Sequence, residues 1–537
     1  MKRIFYAFPA LALALVVSLS ACSGGGTQNS PKSASPASVA YVTDGTFTAA
    51  QVTDPGALDP QLSIVAGIFD MTGYAYDSLV GLTPAGDVVS QLAKSWKYEN
   101  LTATFVLNDG ITCSDGSKLT AKTVVDNITW MENVKNASPF LGTFLPAGIT
   151  AKADEAANTV TLTLAQNAPF LMQSLANVPI VCDAGLADRT KLKAATLGSG
   201  PYELTEAVPD DHYTYQRRDG YTWGPGGATT DTPGLPKTIV VKIVPNESTE
   251  VNLLLSGDVN LATTVGPDAA RAEAAGLSSV DVPAVLGETW YNHAAGHPTS
   301  DQAIRKALTQ AVDLDALSAA ITANAGGRAT ALAVIPPATC SYDSVTGNLP
   351  AHDAAAAGAT LEQAGYAKGA DGKYAKGGKP LAVSFLYDSA LGTSGQAAAE
   401  LATQQWEAAG FTINAKQLDT ARMSDVLFGT GDWDVAWEPI NVNSPDQMVS
   451  FFSGPGAADG GANLSSIANA DYDAKVKDAL AKTGADACTG FQQAEAALFT
   501  NDDMVPWAVR PNKIYLNKVE YQYVGRTQVT ALRMLAG

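Results

Sequence analysis

The stretch Thr299-Ser300-Asp301-Gln302-Ala303-Ile304-Arg305-Lys306-Ala307-Leu308-Thr309-Gln310-Ala311-Val312 carries the clearest helical period in the chain. Ile304, Ala307, Leu308, Ala311 and Val312 fall at i, i+3, i+4, i+7 and i+8 and so share one face. Thr299 with Gln302 forms a candidate capping box at its start. A second helix is expected over 353–364, with Ala357, Leu361 and Ala364 on one stripe and Gly365 ending it. Upstream, Ala103-Thr104-Phe105-Val106-Leu107, Thr159-Val160-Thr161-Leu162-Thr163-Leu164 and Thr238-Ile239-Val240-Val241-Lys242-Ile243-Val244 are rich in β-branched residues and bounded by turn formers, which reads as strands. Strands interleaved with helices in this way predict α/β lobes with mixed sheets. No internal repeat is visible.

The first residues bear on location. Lys2 and Arg3 precede an apolar run over 11–19 that is too short for a lasting membrane span, which is the layout of a secretory signal. That run closes on Leu19-Ser20-Ala21-Cys22, which resembles the lipobox of bacterial lipoproteins, where the cysteine is acylated and becomes the new N-terminus. A signal peptide is therefore expected over 1–21 and a lipidated tether over 22–39. Residues 23–38 are mostly Ser, Gly, Pro, Thr, Asn and Gln, too polar to fold alone, and as a coil would reach about 20–25 Å.

The 537 residues suggest about three structural units. The formal charge of −19 becomes −21 once Lys2 and Arg3 leave with the signal. No basic run offsets it, so nucleic acid is not an expected partner, and the acidity reads as a solvated surface. Cys113, Cys182, Cys340 and Cys488 are too widely spaced for a CxxC metal or redox motif. An even number in an exported chain points to two disulfides, with three pairings open. The chain carries no GxSxG elbow, no HExxH and no SxxK with partner motifs. His212, His293, His297 and His352 are dispersed, and Gly296 and Pro298 break any helix that would align His293 with His297. No catalytic residue, metal or cofactor is expected.

Several short motifs recur in a fixed order: Leu58-Asp59-Pro60, Tyr76-Asp77-Ser78-Leu79-Val80, Gln91-Leu92-Ala93-Lys94-Ser95-Trp96, Asp115-Gly116-Ser117-Lys118-Leu119-Thr120, Gly198-Ser199-Gly200-Pro201-Tyr202, Ser256-Gly257-Asp258-Val259, Leu361-Glu362-Gln363-Ala364-Gly365-Tyr366 and Gly431-Asp432-Trp433-Asp434. In this series the chain resembles the extracellular solute-binding proteins of family 5, from about residue 40 almost to the C-terminus. Taken singly the motifs also have local readings. Thr120 is placed to cap a helix with Val124, Val125, Ile128 and Met131 inward, and Gly198-Ser199-Gly200-Pro201 lacks the Lys-Ser/Thr of a phosphate loop.

The resemblance implies a two-lobed fold of the type II periplasmic-binding kind with an inserted subdomain. Lobe I is expected from 40–80, 190–285 and 508–537, the insert at 81–189, and lobe II at 286–507. It implies capture of a small solute, such as a peptide or oligosaccharide, and delivery to the permease subunits of an ATP-binding-cassette importer. The receptor is expected to be a monomer on the outer face of the cell membrane, held there by its lipid alone. An extracytoplasmic hydrolase is the competing class. With these lobes, the pairing Cys113–Cys182 and Cys340–Cys488 leaves the lobes untied. Trp437, Glu438, Asn441, Asn443 and Asp446 form the expected ligand-facing loop, with Trp290, Tyr291, Asn292 and Trp507 as further walls. The resemblance implies an Asp shortly before the Pro in peptide-binding members, and Asn441 stands nearest that place; an amide cannot match a carboxylate's charge-assisted bond to an ammonium group, so recognition of a free amine is left open.

Overall fold

The computed structural model describes residues 40–64, 66–264 and 268–536; the signal segment, Cys22 and the whole expected tether lie outside the described residues. Ten strands form one mixed sheet: β1 (Thr46–Gln51), β2 (Tyr202–Val208), β3 (His212–Arg217), β4 (Thr238–Ile243), β5 (Leu261–Thr264), β6 (Ser278–Tyr291), β7 (Ala382–Asp388), β8 (Thr412–Leu418), β9 (Val435–Trp437) and β10 (Met504–Leu516). Their spatial order is β8-β7-β9-β6-β10-β5-β1-β4-β3-β2. The β-branched runs read from the sequence at 103–107, 159–164 and 238–244 each coincide with a strand, the last two running one residue past its end.

Two lobes grow from the two ends of the long antiparallel pair β6/β10. At one end β10 pairs with β5, which continues through parallel β1 and β4 to antiparallel β3 and β2. At the other end β6 pairs with β9, which continues through parallel β7 and β8. The second lobe buries both faces of its sheet, as parallel strands require. Tyr291, Phe385, Val435 and Trp437 face a core shared with Ile304, Leu308, Leu361 and Trp406. Trp290, Leu386 and Ala436 face the opposite core with Phe452, Phe491 and Leu498. A separate four-stranded antiparallel sheet (Ala93–Glu99, Thr102–Leu107, Thr150–Asp154, Thr159–Thr163) packs with the helix Ala121–Glu132 around Phe105, Val124, Ile128 and Leu162. The fold is a two-lobed α/β fold with an inserted subdomain.

Local chemistry explains the helix ends. Thr120 caps its helix, as the sequence indicated, and closes a capping box with Thr123 that was not expected. The helix Gln302–Ala311 has a different cap from the one expected. Asp301 is the N-cap and accepts from the Ala303 N–H, while the Thr299 hydroxyl donates to the Asn292 carbonyl at 2.7 Å. Asp outcompetes Thr here because its carboxylate reaches the second helical N–H directly. The helix Ala354–Gln363 is capped by Asp353. In the Gly198-Ser199-Gly200 turn, a Cβ at Gly198 would meet the Ala75 carbonyl oxygen at 2.2 Å, so glycine there permits close backbone approach to the helix Ala66–Ala75. Both disulfides are formed, Cys113–Cys182 and Cys340–Cys488.

Candidate functional site

The strand directions locate a cleft. In the first lobe β1, β4 and β5 run parallel, and β5 advances from Leu261 opposite Leu516 to Thr264 opposite Lys513. Its carboxyl end therefore points along β10 towards residue 508. In the second lobe β9 advances from Val435 opposite Tyr291 to Trp437 opposite Thr289, and β7 and β8 run with it. The carboxyl ends of both lobes thus converge from opposite sides on the middle of the β6/β10 ladder. Ligands of open α/β sheets bind in the crevice outside the carboxyl ends of the strands. At that point the ladder is irregular, with register shifts between Val285, Gly287 and Glu288. Gly287 sits at this irregularity, where a Cβ would meet the Trp507 indole at 2.5 Å, so glycine there admits the indole against the strand.

A cavity of about 600 Å³ opens on the first-lobe side. It is lined by Gln51 at the end of β1 and Asp54 just after it, by Asp70 and Tyr74 of the following helix, and by Asn512 of β10. The Asp70 carboxylate accepts from the Thr527 N–H at 2.5 Å and its hydroxyl at 3.0 Å. Burial raises its pKa above the usual carboxylate range despite these bonds. Glu250 also lines the cavity; burial, then the neighbouring Glu247, pushes its carboxyl up to about 7.

The segment after β9 leaves the carboxyl end of that strand, and three side chains pin it along β6. The Trp290 indole N–H donates to the Glu438 carbonyl at 2.8 Å, and the Ile440 N–H donates to Glu288 Oε2 at 2.9 Å. Asn441 Oδ1 accepts from the Val285 N–H at 2.7 Å, and its Nδ2 donates to the Val285 carbonyl at 3.2 Å. Glu288 is fully buried, and its other oxygen has no partner. Burial pushes its carboxyl up to about 8, and the Glu438 charge adds to this. Glu438 itself is pushed up to about 7 by burial and then by Asp388 at the carboxyl end of β7.

The expected site residues fall into two groups. Trp290, Tyr291, Trp437 and Trp507 are buried in the lobe cores. Trp290 stacks on Phe452 at 5.3 Å, the Tyr291 hydroxyl bonds that of Thr309, and Trp437 packs between Phe385 and Trp507. The Trp507 indole N–H donates to the Thr289 hydroxyl at 3.0 Å. Asn292 is also buried, donating to the Gly431 and Trp433 carbonyls. Glu438, Asn441, Asn443 and Asp446 lie along the loop and are at least partly exposed. Asn443 donates its N–H to Gln447 and accepts from the Thr339 N–H, and Asp446 accepts from the Ser444 hydroxyl, with burial raising its pKa. Glu288 was missed, and its signal was a lone acid inside the apolar run 284–291. Among the described residues no cluster of His, Cys, Asp or Glu is suited to hold a metal ion. His297 bonds Asp434 at 2.8 Å, while His293 bonds the Asp503 carbonyl.

The family model of bacterial extracellular solute-binding proteins, family 5 Middle, matches residues 87–463. The chain belongs to this family. It is 28% identical over 349 residues to the dipeptide-binding protein of Escherichia coli (strain K12), a match covering 59% of this chain and 62% of that protein. It is 26% identical over 500 residues to the probable D,D-dipeptide-binding periplasmic protein of the same organism, covering 87% and 89%. A substrate binding protein from Microbacterium hydrocarbonoxydans, solved with 4-hydroxybenzoate hydrazide, is 26% identical with a TM-score of 0.72. That superposition covers 91% of this chain and all of the other.

Proposed function

We propose that this family member is the extracytoplasmic receptor of an ATP-binding-cassette importer, closing its two lobes on a small solute that it does not transform. The observation that carries the reading is the convergence of strand carboxyl ends from both lobes on one irregular strand pair, β6/β10. A ladder broken at Val285–Glu288 is a natural place for hinged closure of rigid lobes. The boundaries 285/286 and 507/508 fit that irregularity. The solute is a short peptide or a compound of similar size; the cavity of about 600 Å³ admits either. Relatives named for dipeptides, and one solved with an aromatic hydrazide, support this range. The segment 437–446 forms the second-lobe wall through Glu438, Asn443 and Asp446.

The test is a thermal-shift screen of the lipid-free protein with dipeptides, oligosaccharides and aromatic acids, since a ligand that binds only the folded state raises its stability. Ligand recovered unchanged from the complex supports a receptor, whereas turnover would favour a hydrolase. We also propose that Cys22 is acylated and anchors the receptor to the outer face of the cell membrane. Cys22→Ala should then move the protein from the membrane fraction to the soluble one, and retention on the membrane would refute the anchor.

A further inference from the structure

Arg510 lies on β10 at the convergence of the two lobes, opposite Ala284 of β6. Among the described residues it is the one partly buried arginine whose side chain donates no hydrogen bond. Arg189, Arg217, Arg218, Arg305, Arg526 and Arg533 each hold a carboxylate or a backbone carbonyl. The Arg510 Nε is buried and has no partner, and among the described residues no carboxylate lies within ion-pair distance of the guanidinium. Glu247 acts on it only from farther away, and burial lowers its pKa. A guanidinium presents five donors in a planar fork, and leaving it unpaired and half-desolvated is costly.

Its surroundings show what could fill that fork. Residues two apart in a strand face the same side, so Arg510 shares a face with Asn512 and Ile514. Asn512, Ile514 and Val282, the residue opposite Asn512, line the cavity of about 600 Å³. Arg510 therefore stands one pleat repeat, about 7 Å, beyond the cavity wall towards the second lobe. The residue opposite it, Ala284, is small and carries no competing acceptor side chain.

We infer that Arg510 receives a carboxylate of the captured solute, so that the receptor selects solutes carrying one. This deepens the receptor reading and rests on it. Carboxylate and guanidinium match in a two-point, charge-assisted geometry that neither an amide nor a lysine reproduces.

The experiment uses matched probes: free dipeptides and their C-terminal amides, 4-hydroxybenzoate and its hydrazide, and neutral oligosaccharides. Each is titrated into the wild type, Arg510→Gln and Arg510→Lys, with the unliganded melting temperature recorded for every variant. The acids should bind the wild type about tenfold or more tightly than their neutral partners. Arg510→Gln should remove that preference by weakening the acids far more than their neutral partners, and Arg510→Lys should retain part of it. If Arg510→Gln does not fold, the acid-to-amide ratio in Arg510→Lys decides, and an undiminished ratio refutes the inference. Equal binding of acid and amide, binding of oligosaccharides alone, or full acid affinity in Arg510→Gln would overturn the inference and leave the receptor reading standing. Binding of no probe from any set would overturn both.

Discussion

The side-chain amide of Asn441 is bonded to both backbone groups of Val285, accepting from its N–H at 2.7 Å and donating to its carbonyl at 3.2 Å. One side chain thus imitates a strand partner at the place where the β6/β10 register shifts. It ties the loop after β9 to β6, and leaves that amide little capacity for a solute.

Asn441→Ala should therefore cost about 1–2 kcal/mol of stability, since each net hydrogen bond is worth on the order of 1 kcal/mol. Asn441→Asp should cost about as much. A carboxylate can still accept from the Val285 N–H but opposes its lone pairs to the Val285 carbonyl. Denaturant unfolding measures both, and solute affinity should fall as the loop loosens. Wild-type stability in both variants would show that the latch contributes nothing.

Glu288 makes stability depend on pH. Its folded-state pKa of about 8 lies above the ordinary glutamate value of 4.5, so between these limits the folded chain holds a proton that the unfolded chain releases. Stability is then full below about pH 4.5 and falls as pH rises towards 8. Glu495, pushed up to about 7 by burial, acts in the same direction. Glu288→Gln should flatten the decline and stabilise the protein at pH 8 by on the order of 2–4 kcal/mol. Unfolding midpoints from pH 5 to 9 test this; parallel curves for variant and parent would refute it.

Periodicity and β-branched runs made the α/β class legible, whereas the two-lobed layout with its inserted subdomain was legible only through the family resemblance. The β-branched run at 238–244 and the apolar stripe of Ile304, Ala307 and Leu308 reflect local burial, which composition and period report. The site was only partly legible. Composition marked Trp290, Trp437 and Trp507 as walls, but whether an indole faces a cleft or a core depends on which side of a strand it occupies, and the register was not readable from one sequence. Arg510 and Glu288 were hidden for a related reason. Each is a lone charge in an apolar run, and its importance comes from the partners it lacks in three dimensions.

The two disulfides close loops of 69 and 148 residues. Loop-closure entropy assigns each about 4–5 kcal/mol if it is unstrained. Replacing Cys340 and Cys488 together by serine should lower the melting temperature clearly, and replacing Cys113 and Cys182 should do so slightly less. Differential scanning calorimetry of the two double variants checks the order, and unchanged melting in either would contradict it.

Trp437 tests whether the aromatic residues are wall or core. It is fully buried between Phe385 and Trp507, with ring centroids 4.9 and 4.8 Å away, and its indole N–H has no partner. Trp437→Ala should cost about 3–5 kcal/mol, the range for emptying a large buried aromatic site. Trp437→Phe should cost far less, because the smaller ring gives up some contact but also removes an unsatisfied donor worth about 1–3 kcal/mol. A net change within about 1 kcal/mol is expected from these opposing effects, with solute affinity unaltered. Unfolding and titration of both variants separate the two roles. If Trp437→Phe lost solute affinity at parental stability, the indole would be touching the solute and the core assignment would be wrong.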